Sequence, residues 1–391
     1  MQKTSPSAPD AEPGNSAEGS GALGHSASAF ARAGLLAYAM LIVYASWYPF
    51  SGWRDLGVPA FAYLWAPLPH YWTWFDVSIN VLGYIPFGMF LVCAMYPHIR
   101  GPRAGLLSAV CGIFVSASME AVQTFLPSRV ASNLDLLTNG IGACIGAFAA
   151  VLLTPKLLQE SRLLALRRRW FAPTASHGLI VLALWALAQI YPNEYMFGQG
   201  QMAPVVSDWL SQWLETAIDI GALLRMGHEL NVEHYWLADA FITVCGMAGA
   251  LALLLSMLRP VAPKLALAAL LLAAALAVKA MASALFFGPE NAFAWLTPGA
   301  QFGLLLGLPL TVGMAVLPWF WQRRLAAVLL AAGFIAVNAA PSNPYFIATL
   351  QTWVQGQFLN FDGAAQFLSL WWPLFALGFA LWPLAQRPVA E

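Results

Sequence analysis

Long apolar runs separated by short polar stretches repeat along this chain, near residues 29–50, 76–96, 104–125, 134–154, 177–192, 236–258, 264–287, 299–320, 324–340 and 366–385. A helix needs about 20 predominantly apolar residues to cross a bilayer. The pattern therefore predicts an all-α, polytopic transmembrane helical bundle of about ten helices, the fifth and ninth short. Residues 1–28 break the pattern, being rich in Ser, Ala, Gly and Pro, and they predict a disordered tail, since little there can offset the entropy of ordering. The first apolar run lacks the layout of a cleaved signal peptide and reads as a retained anchor.

Composition agrees with this reading, because 60% of the residues are hydrophobic and only 9% charged, against roughly 25% charged in soluble domains. The formal net charge is zero, so the informative quantity is where the charges fall. With the N-terminus inside, fourteen of the 18 basic residues collect on the cytoplasmic side, three (Arg54, Arg129 and Arg225) fall outside, and Lys279 lies within a span. Such a bias sets orientation, and both termini are expected in the cytoplasm. A basic cytoplasmic linker, 155–176, carries Arg167, Arg168 and Arg169 and divides a front region of four helices, 29–154, from a back region of six, 177–391, with an external loop at 193–235. A basic run against the membrane attracts anionic lipid headgroups at about 1 kcal/mol per residue, and membrane lipids rather than nucleic acid are the partners it predicts. Cys93, Cys111, Cys144 and Cys245 stand singly in apolar runs and read as small buried hydrophobes.

Against this background a set of polar residues in the front region stands out, because ionisable groups within spans are costly unless paired, hydrated or used. The second helix opens with Asp76 and places Asn80 one turn later on the same face. Gly83, Pro86 and Gly88 follow, a break that requires protein rather than lipid alongside. The third helix ends with Ser116, Glu120 and Gln123 on one stripe, and Arg129 lies in the next connection. The fourth begins near Asp135, continues with Asn139, and carries Gly140, Gly142 and Gly146 for close packing. The alternating directions of the helices bring Asp76, Glu120, Arg129 and Asp135 to the external end. Three carboxylates and one guanidinium leave an excess of negative charge there, which a proton, a divalent cation or a cationic ligand would balance. Arg129 has the geometry for a phosphate or a carboxylate. The alternative is polar glue between helices, which would account for Asn80, Gln123 and Asn139 alone.

The succession Asn80-x-x-Gly83-x-x-Pro86-x-Gly88, Ser116-x-x-x-Glu120-x-x-Gln123, and Arg129 with Asp135-x-x-x-Asn139-x-x-Gly142 resembles the VanZ-like family of bacterial integral membrane proteins over about residues 35–153. One departure is Ser132, where that family often carries an Asp. The family is named for a protein that confers low-level resistance to the glycopeptide teicoplanin. The resemblance implies a multi-pass protein of the bacterial cytoplasmic (inner) membrane that acts in the cell envelope, and it supplies no biochemical activity.

In the back region, Trp209, Leu210, Trp213, Leu214 and Ile218 line one helical face behind a Ser207 or Asp208 cap, which predicts a helix lying flat in the outer interface. The run His228-Glu-Leu-Asn-Val-Glu-His234 has the wrong spacing for a metal-binding HExxH helix and reads as a solvated loop. Lys279 reads as structurally paired with Asp239 or Glu290. No metal or other cofactor is expected. Two classes of function remain. One is a protein that binds or handles an envelope lipid, a cell-wall precursor or another lipid-linked ligand at the outer leaflet, through Asp76, Asn80, Glu120, Gln123, Arg129, Asp135 and Asn139. The other, placed second because no nucleophile elbow or P-loop is present, is a membrane-embedded enzyme with Glu120 or Asp135 as general acid or base on a headgroup or polyprenyl phosphate.

Overall fold

A computed structural model describes residues 15–48, 50–158, 162–226, 228, 232–340, 343, 346 and 359–382. Its α-helices are α1 (Asn15–Trp47), α2 (Trp74–Met95), α3 (Gly101–Gln123), α4 (Asn133–Leu158), α5 (Arg162–Trp170), α6 (Ala175–Leu187), α7 (Ala203–Leu214), α8 (Ile220–Leu224), α9 (Val232–Met257), α10 (Lys264–Phe287), α11 (Pro298–Ala315), α12 (Trp319–Ala339) and α13 (Leu359–Leu381). Among the described residues eight helices are long and apolar enough to cross a membrane, and two shorter apolar ones, Ala31–Trp47 and Ala175–Leu187, match the remaining predicted runs. The chain is a multi-pass, all-helical membrane protein. Helix α1 reaches back to Asn15, into the stretch read as a tail, and residues 1–14 of that stretch lie outside the described residues.

The chain divides into two compact units, Met1–Met40 with Ser51–Leu164, and Leu41–Phe50 with Ala165–Glu391. In the first, α2 and α4 meet backbone to backbone. A Cβ on Gly142 would lie 2.2 Å from the Val81 carbonyl oxygen, one on Gly146 2.0 Å from that of Ile85, and one on Gly88 2.3 Å from that of Ala143. Only glycine tolerates such an approach, which maximises dispersion contacts where apolar burial gives no net drive. Gly83 does otherwise than its place in the motif predicts: the space around it is open, and its carbonyl accepts the Tyr38 hydroxyl at 2.7 Å. Helix α3 joins the pair where Ser108 donates to the Gly88 carbonyl at 2.9 Å. Cys144 faces outward from α4 rather than into a core.

In the second unit α9 is the central element, with 89% of its most apolar window buried. Gly299 and Gly303 bring α11 against it, since a Cβ on either would fall within 2.8 Å of α9 atoms. The stretch read as an external loop, 193–235, divides. Its start is interior: Tyr195, Met196 and Phe197 are buried, Gly200 N–H donates to the Ser369 carbonyl at 2.9 Å, and Asn338 bonds the Gly200 carbonyl and the Met202 and Ala203 amides at 2.6–2.8 Å. Non-helical backbone survives at such a position because these side chains satisfy it. Helix α7 follows, and it begins at Ala203 with Pro204 in its first turn, so Ser207 is not its cap but sits inside it, bonding the Ala203 carbonyl and the Ile220 amide. Trp209 and Trp213 stack, with ring centroids 6.2 Å apart, on its outer face and are 62% and 71% exposed. His228 is exposed, His234 lies in the first turn of α9, and 229–231 fall outside the described residues.

Candidate functional site

The polar residues of the first unit sort into a buried seam and its rim. Asp76 belongs to the rim. It is the third residue of α2 and closes a capping box with Thr73, whose N–H and hydroxyl donate to Asp76 Oδ2 at 3.1 and 2.7 Å while Asp76 N–H donates back at 3.1 Å. Its carboxylate is exposed and satisfied by its own helix end.

The seam begins one turn further in. Asn80 Nδ2 donates to Asp135 Oδ1 at 2.8 Å, tying α2 to the first turn of α4. Glu120, only 3% exposed near the end of α3, accepts the backbone N–H of Ser132 at 2.8 Å. Asn139 donates to the Ser116 hydroxyl at 3.0 Å, joining α4 to α3. The charge of Asp135 acts on Glu120, and that of Asp76 acts on Asp135. Among the described residues neither Glu120 Oε1 nor Asp135 Oδ2 accepts a hydrogen bond from the protein. Two further polar atoms are buried without a partner there, Asn139 Oδ1 and the Tyr84 hydroxyl, which lies beside Ser116 and Glu120.

Gln123 is buried at the end of α3, and its carbonyl accepts the Leu126 N–H at 2.9 Å. Arg129 is half-buried in the turn between α3 and α4, held by its own N–H to the Leu126 carbonyl at 2.9 Å. The bonds that fix the two seam carboxylates come from Ser132 and Asn80.

Above the seam the connection between α1 and α2 folds over the same end of the unit. Its 3-10 turn, Ala62–Trp65, inserts Tyr63, whose hydroxyl donates to the Ala117 carbonyl at 3.0 Å. Burial and then the charge of Glu120 push the Tyr63 phenol above its ordinary range, which keeps it a neutral donor. Asn133 donates to the Ala66 carbonyl at 2.6 Å, and Arg54 N–H to that of Phe125 at 3.0 Å. Trp65, Trp72 and Trp74 remain exposed around it.

Residues 32–154 match the family model described as VanZ/LLP1. This segment is a VanZ-like domain. No curated protein and no solved structure matches the chain. The VanZ-like match encloses every residue of the seam, from α2 through α4, together with the turn that carries Tyr63.

Two members of this VanZ-like seam, Ser132 as a bonding partner and Tyr84, escape the sequence reading. Ser132 is the pivot: its hydroxyl accepts the Leu134 and Asp135 amides at 3.1 and 3.3 Å, capping α4, while its own N–H holds Glu120. The signal was present in Ser132-Asn-Leu-Asp135, a Ser three residues before an acid at a helix start. Thr73-Trp-Phe-Asp76 carries the same signature and would have assigned Asp76 to a cap. Tyr84 has no such signal, since its position one turn after Asn80 gives it a face but not a partner.

Proposed function

We propose that the VanZ-like domain binds an envelope lipid or a cell-wall component, a lipid-linked precursor included, at the outer leaflet of the bacterial inner membrane, through the Glu120–Asp135 seam. One observation carries this reading: two interacting carboxylates sit at the helix ends, one of them buried, and each is fixed by a single protein hydrogen bond that leaves its other oxygen open. Removing a carboxylate from water costs several kcal/mol unless it is compensated, and polar glue would use both oxygens or neither charge. A cationic or hydrogen-bonding headgroup supplies the compensation. Unpartnered Tyr84 and Asn139 atoms add a donor and an acceptor beside it. Exposed Trp65, Trp72 and Trp74 support an interfacial depth, because tryptophan favours the headgroup level.

Such a protein would alter the exposure of its ligand to glycopeptides, and a role in teicoplanin resistance is the physiological form of the proposal. Glu120→Gln and Asp135→Asn test it, because each isostere keeps the acceptor used by Ser132 or Asn80 and removes only the charge. Both variants are expected to express and fold normally and to fail to restore the susceptibility phenotype of a deletion strain. Normal complementation by both would end the proposal.

A further inference from the structure

Charge in the second unit is sorted by end. At one end α9, α11 and α13 finish while α6, α10 and α12 begin. The segments that build it, within residues 161–193, 240–289, 291–361 and 363–382, hold no acidic residue, and Glu160, just before them, lies outside the described residues. Several cations of this end are used by the protein itself. Arg167 donates to the Ser176 hydroxyl, Lys264 to the Ala315 carbonyl at 3.0 Å, and Arg323 to the Ala380 carbonyl at 2.9 Å. Deeper in the unit Lys279 feels the charge of Asp239, although among the described residues no ion pair within 4.0 Å joins them. Arg168, Arg169 and Arg259 differ from all of these. They are exposed, and among the described residues none of their guanidinium groups makes a hydrogen bond or an ion pair.

The backbone gathers these three. Arg259 N–H donates to the Trp170 carbonyl at 2.8 Å and Ala172 N–H to that of Met257 at 2.9 Å, around an antiparallel bridge between Phe171 and Leu258. The last turn of α5, which carries Arg168 and Arg169, is thereby fastened to the turn between α9 and α10, which carries Arg259. Ala172 and Leu258 are buried beneath it, so this part of the stretch read as a linker is a fixed platform. Three like charges held together repel one another, and an anion among them removes that cost. Guanidinium groups match the oxygens of a phosphate in pairs. Beside the charges the surface turns apolar: Val261, Leu265 and Leu270, in the same turn and the start of α10, are exposed. A soluble polyanion would leave that flank uncovered, whereas a phospholipid covers it with its chains.

We infer that this end of the second unit holds one anionic phospholipid, its phosphate at Arg168, Arg169 and Arg259 and its chains along the start of α10. The site is separate from the seam of the VanZ-like domain and does not depend on it. The test titrates the full-length protein in detergent with phosphatidylglycerol or with phosphatidylethanolamine and counts bound lipids by native mass spectrometry. The first phosphatidylglycerol is expected to bind the wild type at least about tenfold more tightly than phosphatidylethanolamine, since each cation beside an anionic headgroup contributes about fivefold. Arg168→Gln/Arg169→Gln/Arg259→Gln is expected to remove that preference. Arg32→Gln/Arg100→Gln/Arg103→Gln takes the same charge from the first unit and is expected to leave the preference intact. Equal binding of the two lipids by the wild type overturns the inference. So does a preference that survives in the first variant, or one lost equally in both, which would make it an effect of overall charge. The wild-type comparison needs no variant, and if the triple variant fails to fold, Arg169→Gln alone is read in the same way, with a loss of about fivefold.

Discussion

At Glu120 a single backbone N–H, that of Ser132, is what the fold gives to a carboxylate it has removed from water. The adjacent hydroxyl of Ser132 does separate work as the cap of α4, so the two roles can be divided by mutation. Ser132→Ala removes the cap and retains the N–H; thermal unfolding in detergent should report a loss of about 1 kcal/mol, with complementation intact. Loss of function at unchanged stability would mean that the Ser132 hydroxyl itself meets the ligand. Spacing alone revealed the seam partners Asn80, Glu120, Asp135 and Asn139, because helical periodicity and the cost of polar groups in lipid are both written in the sequence. Asp76 looked equivalent to them until its neighbour Thr73 was taken into account: helix ends, unlike helix faces, spend carboxylates on their own backbone.

For the helices the decisive feature is how near their backbones come. Gly146→Ala would drive a Cβ to 2.0 Å from the Ile85 carbonyl oxygen and force α4 away from α2, whereas Gly83→Ala meets open space. The first is expected to lower the unfolding temperature by several degrees; the second should hold or raise stability by up to about 1 kcal/mol through helix propensity. Equal effects of the two would contradict the packing described for α2 and α4. Helix α7 makes a different prediction. With the native cysteines replaced, spin labels at Trp209 and Trp213 should be more accessible to oxygen than to a water-soluble nickel chelate, as expected for a face lying in the interface; the reverse order would make α7 a solvent-exposed helix. The hydropathy pattern foretold each long helix, since membrane-spanning length and apolarity are local properties. It could not foretell the interior course of residues 193–200, whose aromatic, Gly-rich composition resembles a surface loop and whose satisfaction depends on Asn338 and Ser369, more than a hundred residues away.

Across the whole molecule, topology decides what the seam can meet. Fusion of a reporter to the C-terminus should give a fluorescent GFP and an inactive alkaline phosphatase, as the positive-inside bias requires; an active phosphatase would turn the seam toward the cytoplasm. A small cavity lined by Lys279 and Asp239 was illegible in the sequence for a plain reason: its walls come from α9, α10, the stretches 189–196 and 294–297 and Phe346, and nothing in a hydropathy pattern says which spans are neighbours. The seam was legible because its three helices are consecutive and joined by short turns. The central claim, that the VanZ-like domain holds an envelope component through its carboxylate pair, is tested most directly by native mass spectrometry of protein purified from bacterial membranes. A bound lipid or lipid-linked species, unchanged on incubation, should accompany the wild-type chain and be lost from Glu120→Gln and Asp135→Asn; conversion of that species on incubation would make the domain an enzyme, and its equal retention by both variants would contradict the account.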